Sequence, residues 1–231
     1  MAKKQMGVAR EVAVAAFLIV LGQQAVAADL EQAASGPQAG AWVTEAPSPW
    51  QVRLRALGVI TEDSGYVNAV PGSGLSYSDT VTPEIDISYF FTDNIAAELI
   101  LGTTYASIEG QRTIGGLGNI GTVWLLPPTL TLQYHFTNFG AFKPYVGAGV
   151  NYTIFYNQDV GSADDLKVKN TFGIALQVGF DYMVDEHWGV NLDVKKLFLK
   201  PNFDVTVDGA KLTGKAALDP WLIGAGVTYR F

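Results

Sequence analysis

The sequence predicts an all-β protein, an eight-stranded antiparallel transmembrane β-barrel, and three observations carry that expectation. Apolar and other residues alternate with a period of two in one stretch after another. The apolar faces are close to unbroken, while the opposite faces carry Gly, Ala and a few charges, the inverse of a soluble barrel. The connections alternate between short and long. A soluble, lipocalin-like barrel is the alternative, and it would leave the polar faces short of Lys and Glu.

In chain order, the first stretch opens with Lys3, Lys4 and Arg10, continues with an apolar run from Val12 to Leu21, and closes on Ala25-Val26-Ala27. A positive start, a short apolar run and an A-x-A site predict a cleaved secretory signal peptide over 1–27, with cleavage after Ala28 as the near alternative. The run is too short to cross a bilayer as a helix, which disfavours a membrane anchor. Residues 28–49, rich in Ala, Pro, Gly and Gln, predict an irregular segment. Strands are expected at 50–60, 84–91, 95–106, 122–136, 143–156, 170–183, 188–199 and 220–231, each near the roughly 10 residues that a tilted membrane strand needs. The sixth shows the alternation best: Phe172, Ile174, Leu176, Val178, Phe180 and Tyr182 oppose Gly173, Ala175, Gln177, Gly179 and Asp181. Tight turns are expected at 92–94, 138–141 and 185–187, and long loops at 61–83, 107–121, 157–169 and 200–219. The barrel domain is thus 50–231. Its last strand must pair with its first, so that no sheet edge meets lipid.

Composition narrows the function classes. A formal charge of −7 argues against a nucleic-acid partner. The absence of cysteine excludes a disulfide framework and thiolate metal sites. No G-x-S-x-G, H-E-x-x-H or Gly-rich phosphate loop occurs. His187 lies in a tight turn and Asp164-Asp165 in a long loop, so no catalytic set, cofactor or metal site is predicted. Loop carboxylates could hold divalent ions that bridge lipopolysaccharide.

Strand parity divides the inward face by height. Toward the long-loop end it is apolar: Leu57, Val59, Ile100, Leu125, Pro127, Phe155 and Leu222. Lower down it includes Arg53, Arg55, Asp86, Glu98, Gln133, His135, Asn151, Gln177, Asp181, Asn191, Asp193 and Lys195. Mixed charges in a narrow, dry bore must pair or cost several kcal/mol each. The lower lumen therefore reads as an ion-paired plug beneath an apolar cup. Pro127 and Pro128 cannot donate ladder hydrogen bonds, so they mark a weakened seam in the wall. The seam reads equally as a lateral exit or as a local bulge or early strand end.

The segments FTDNIAAELI, LLPPTLTLQYHF, KPYVGAGVNYTIFY, QVGFDYMV and LDPWLIGAGVTYRF, in this order, resemble the OmpW family of Gram-negative outer-membrane proteins, over about Trp50 to Phe231. The resemblance implies an eight-stranded barrel in outer-membrane lipid beside lipopolysaccharide. Its narrow, largely hydrophobic channel would pass small hydrophobic molecules. It also adds Phe172 to the channel lining, at a place where family members carry Trp. Tyr229 and Phe231 resemble the C-terminal signal by which the barrel-assembly machinery recognises such proteins. A non-conducting structural or receptor barrel is the alternative, and a membrane-barrel enzyme the third class.

Overall fold

The computed structural model describes residues 48–231. The expected signal peptide, 1–27, and residues 28–47 of the segment after it lie outside the described residues. The strands, in chain order, are β1 (Trp50–Ile60), β2 (Ser64–Val67), β3 (Ser73–Tyr77), β4 (Thr80–Phe90), β5 (Ile95–Gly102), β6 (Thr104–Arg112), β7 (Asn119–Leu126), β8 (Thr129–His135), β9 (Phe142–Val160), β10 (Asp165–Val168), β11 (Thr171–Met183), β12 (Trp188–Phe198), β13 (Asn202–Val207), β14 (Ala210–Ala217) and β15 (Trp221–Arg230).

Eight of these form the barrel wall, in the order β1, β4, β5, β8, β9, β11, β12, β15, every neighbouring pair antiparallel. The ring closes where β1 meets β15, from Gln51↔Arg230 to Ile60↔Trp221. Closure leaves neither the first nor the last strand with a free edge, the condition that lipid imposes on a sheet.

Side-chain exposure alternates as the sequence predicts and fixes which face is which. Val81, Leu132, Val150, Ile174 and Val178 are exposed outward, whereas Arg53, Asp86, Glu98 and Asp193 are 0% exposed within. The charge lies inside and the grease outside, which decides against the soluble barrel. Aromatic pairs ring the short-turn end, among them Trp50–Tyr89, Tyr134–Phe136 and Trp188–Tyr229. A second set, Tyr105–Trp124–Tyr156 and Tyr152–Phe172, lies toward the other end. Two such belts are the interface anchors of an outer-membrane barrel. The turn at 185–187 is tied by Asp185, whose Oδ1 accepts the Trp188 and His187 N–H groups at 2.6 and 2.8 Å. Those two donors hold the Asp185 carboxyl below its usual range.

The long connections are not loops. They fold into an extension above the wall: β3, β6, β7 and the upper part of β9 continue one sheet, while β10, β13, β14 and β2 form another. Val67, Leu75, Ile108, Ile120, Val123, Phe155, Leu166, Phe203 and Val205 form its apolar core. Two expected strands are broken. The stretch 95–106 divides at Thr103 into β5 and β6, and 122–136 divides at Pro127-Pro128 into β7 and β8.

Candidate ligand cup, plug and wall seam

The plug is assembled by alternate residues of β1 reaching across the bore. Arg53 forks onto Asp181, with Nη2–Oδ2 at 2.6 Å and Nε–Oδ1 at 3.0 Å, and its Nη1 meets Glu98 Oε1 at 2.5 Å. Asp181 Oδ1 also accepts from Thr228 at 2.6 Å and from the Asn191 amide at 2.9 Å. Two residues along, Arg55 pairs Nε with Glu84 at 3.0 Å and Nη2 with Asp86 at 2.5 Å, and its Nη1 donates to Asn191 at 2.9 Å. Lys195 lies between Glu84 at 2.9 Å and Asp193 at 3.0 Å. Gln177 donates to both Glu98 and Asp193 at 2.8 Å, and Gln133 to Glu98 at 2.7 Å. Breaking one partner of such a buried pair costs about 3–5 kcal/mol, so the layer is rigid.

Every polar residue expected in the plug lies inside and buried, but one of the wider inward set serves elsewhere: Asn151 works at the seam. The structure adds Glu84 and Tyr145. Tyr145, fully buried, donates to Asp193 at 2.8 Å. It fits because residue 179 is Gly, where a Cβ would sit 2.5 Å from the Tyr145 hydroxyl. Its aromatic character reads as lipid-facing, although parity with Asn151 puts it inside.

Above the plug is a cavity of about 60 Å³. Leu57, Val59, Ile100, Leu125, Pro127 and Leu222 line it as expected, together with Leu197. Glu84 and Lys195 form its floor and are, among the described residues, its charged lining. A second, smaller cavity of about 50 Å³ lies in the interior of the extension and shares Ala106, Leu125 and Leu218 with the first. Phe155 lines this upper chamber, not the cup. Phe172 lines neither. It is 76% exposed on the outer face, its ring 4.6 Å from that of Tyr152. The family correspondence placed it inward, but its parity with Ile174 and Leu176 on β11 turns it to lipid. Below the plug, a polar vestibule opens at the short-turn end, lined by Gln51, Asp93, His135, Lys143, Asp181 and Arg230 among others. The plug separates this vestibule from the cup.

The seam is a gap in the ladder. The β5–β8 pairing ends at Ile100↔Thr129, and the β6–β7 pairing starts at Thr104↔Leu125. Leu101–Thr103 therefore face Leu126–Pro128 with no ladder between them. Unpaired carbonyls at this depth are costly, and Asn151 satisfies them. Its Nδ2 donates to Pro127 O at 3.1 Å and Pro128 O at 3.3 Å, while the Tyr152 N–H donates to Pro128 O at 3.1 Å. Hydroxyls lace the gap: Thr103 Oγ1 donates to Leu125 O at 3.1 Å and lies 2.5 Å from the Tyr156 hydroxyl. Gly102, Thr103, Tyr105 and Pro127 line the cup here, so the cavity reaches the gap.

The OmpW family model matches residues 50–231. An uncharacterized outer-membrane protein, y4mB of Sinorhizobium fredii, is 68% identical over 187 residues, 80% of each chain. The dibenzothiophene metabolism operon protein PahQ of Pseudomonas aeruginosa is 29% identical over 195 residues, covering 82% of this chain and 91% of PahQ. Among solved structures, that of outer membrane protein AlkL in DMPC lipid bilayers matches with a TM-score of 0.63 at 26% identity, covering 87% of this chain and 97% of that one.

Proposed function

The chain belongs to the OmpW family, and from that premise we propose that it is an outer-membrane barrel that carries small hydrophobic molecules inward from the cell surface and releases them sideways through its wall. The observation that carries this reading is the continuity of the apolar cup with the ladder gap above a sealed plug. A solute entering the upper chamber meets apolar surface down to Glu84 and Lys195. The ion pairs there bar its way, and the gap beside Pro127 leads to lipid. Apolar burial at about 25 cal/mol per Å² draws such a solute from water, and lipid at the gap offers the same environment for release. The presence of a relative in a dibenzothiophene metabolism operon supports a hydrophobic cargo. On this reading the extension faces outward, the short turns face the periplasm, and the outward wall meets lipid and lipopolysaccharide. No step of this route requires catalysis.

The test is uptake of a small hydrophobic compound by cells or proteoliposomes. Leu125→Asp sets a carboxylate between cup and chamber, costing a few kcal/mol to desolvate, and should abolish uptake in a correctly folded barrel. Replacing Pro127 and Pro128 by Val and Thr restores ladder donors and should lower uptake while ligand still binds. Loss in Leu125→Asp alone would retire the lateral exit and keep the cup. Normal uptake in both would favour the structural or receptor barrel, a reading supported by the closed plug.

A further inference from the structure

The cup is not uniformly apolar, and its polarity runs along the barrel axis. In the upper chamber, among the described residues, only Tyr77 brings a polar side-chain atom, and its hydroxyl is spent on Ser64 O at 2.9 Å. In the cup below, the threonine hydroxyls are also spent: Thr82 donates to Thr103 O at 2.5 Å and Thr129 to Pro127 O at 3.0 Å. The floor differs. Lys195 donates one of its three ammonium N–H groups to Glu84 Oε1 at 2.9 Å and lies 3.0 Å from Asp193 Oδ1, so it keeps a donor to spare. Glu84 Oε1 accepts from Lys195 and lies 3.0 Å from Arg55 Nε, and among the described residues its Oε2 takes no hydrogen bond. One donor and one acceptor therefore stand side by side at the bottom of an apolar cavity, 1% and 3% exposed.

Building on the cup reading above, we propose that Lys195 and Glu84 form a head-group site, and that the cup selects neutral amphiphiles bearing a terminal hydroxyl over hydrocarbons of the same length. A hydroxyl accepts from the spare Lys195 N–H and donates to Glu84 Oε2, while its tail lies along Leu57, Leu197 and Leu222 and rises toward the upper chamber. A hydrocarbon seated there leaves both buried polar atoms without partners, and a site built to bond a hydroxyl discriminates against the analogue that lacks it. A carboxylate head is disfavoured, because Glu84, Asp86, Glu98 and Asp193 already surround the floor. A ketone fills only the acceptor role and ranks between alcohol and alkane.

The test uses the whole barrel in lipid nanodiscs, with methyl-labelled leucine and nitrogen-labelled lysine, titrated with 1-octanol and n-octane. Leu57, Leu197 and Leu222 methyl shifts report occupancy, and the Lys195 Nζ resonance reports the head group. Expected is half-saturation by octanol at about one tenth the octane concentration, after correction for lipid partitioning. The Nζ resonance should move with octanol only, and Lys195→Met should erase the difference between the probes. If that variant fails to assemble, the wild-type Nζ resonance decides. Equal half-saturation with an unmoved Nζ overturns the head-group site and leaves the cup standing. Leucine methyls that respond to neither probe overturn the cup reading itself, and the head-group site with it.

Discussion

The lower and upper lumen are built by the same strands under the same parity, and they tolerate change in opposite ways. In the plug, Arg53, Arg55 and Lys195 are held by Glu84, Asp86, Glu98, Asp181 and Asp193 at ion-pair distance. Each group there depends on named partners. In the cup, Leu57, Val59, Leu197 and Leu222 pack without direction, and any apolar group of similar size would serve. Ion pairs make a seal because losing one partner strands the other. Apolar packing makes a compartment because its contents are exchangeable.

Arg53→Met is the hardest blow to that contrast. It strands Asp181 and Glu98 and should destabilise the barrel by about 3–5 kcal/mol, read from the urea midpoint in bilayers. Adding Asp181→Asn and Glu98→Gln to it should recover a large part of the loss. A cost below about 1 kcal/mol for the single change would mean that the plug is not the rigid layer described. Next is Leu197→Ala on the cup wall. It faces existing space, so it should cost about 2 kcal/mol, the low end for a buried leucine, and should leave the plug's amide exchange unchanged. Loss of protection at Arg53 or Lys195 in that variant would show that the two layers are one unit. Phe231→Ala lies outside both. Its ring packs on Tyr229 at 4.9 Å, and its removal should lower the yield of assembled, heat-modifiable barrel without altering uptake per assembled molecule. Normal yield at native expression would make the terminal aromatic simple lipid-facing filler. The smallest effect is expected from Tyr156→Phe, which deletes one lacing hydroxyl at the seam. It should cost about 1 kcal/mol and raise amide exchange at Thr104 and Leu125 while slightly increasing uptake. Unchanged exchange would show that the hydroxyl does not hold the gap shut.

Much of the barrel is legible in the sequence because six of its eight wall strands are long and unbroken, so parity carries along them. Parity put Arg53, Arg55, Asp86 and Lys195 inside, and the structure agrees. It was overruled once, at Phe172, and there it was the better guide. Tyr145 shares the parity of Asn151 and Phe155 on β9, so position alone marks it as inward although a tyrosine does not announce it. The extension was hidden for another reason. Its strands are short, and β2 pairs with β14 through Val67↔Gly214, a contact that no local pattern announces. One signal was available: Asp208-Gly209, both at positive φ, is a two-residue hairpin turn joining β13 to β14. Half the seam was visible in Pro127-Pro128. The other half, around Thr103, has no sequence mark and exists only because β5 lost its neighbour.

Arg53 and Asp181 are 128 residues apart, and that separation sets an order of events. Arg55 finds Asp86, and Arg53 finds Glu98, as soon as β1, β4 and β5 lie side by side. Asp181, Asp193 and Lys195 arrive on β11 and β12, and they can reach β1 only when β15 brings the far side of the sheet around to it. Such distant pairings form slowly, because the intervening chain must be gathered first. Neutralising the bore and sealing the cylinder therefore coincide. A partly wound sheet holds exposed, unbalanced charge along with its open edge, and both are relieved in the same step.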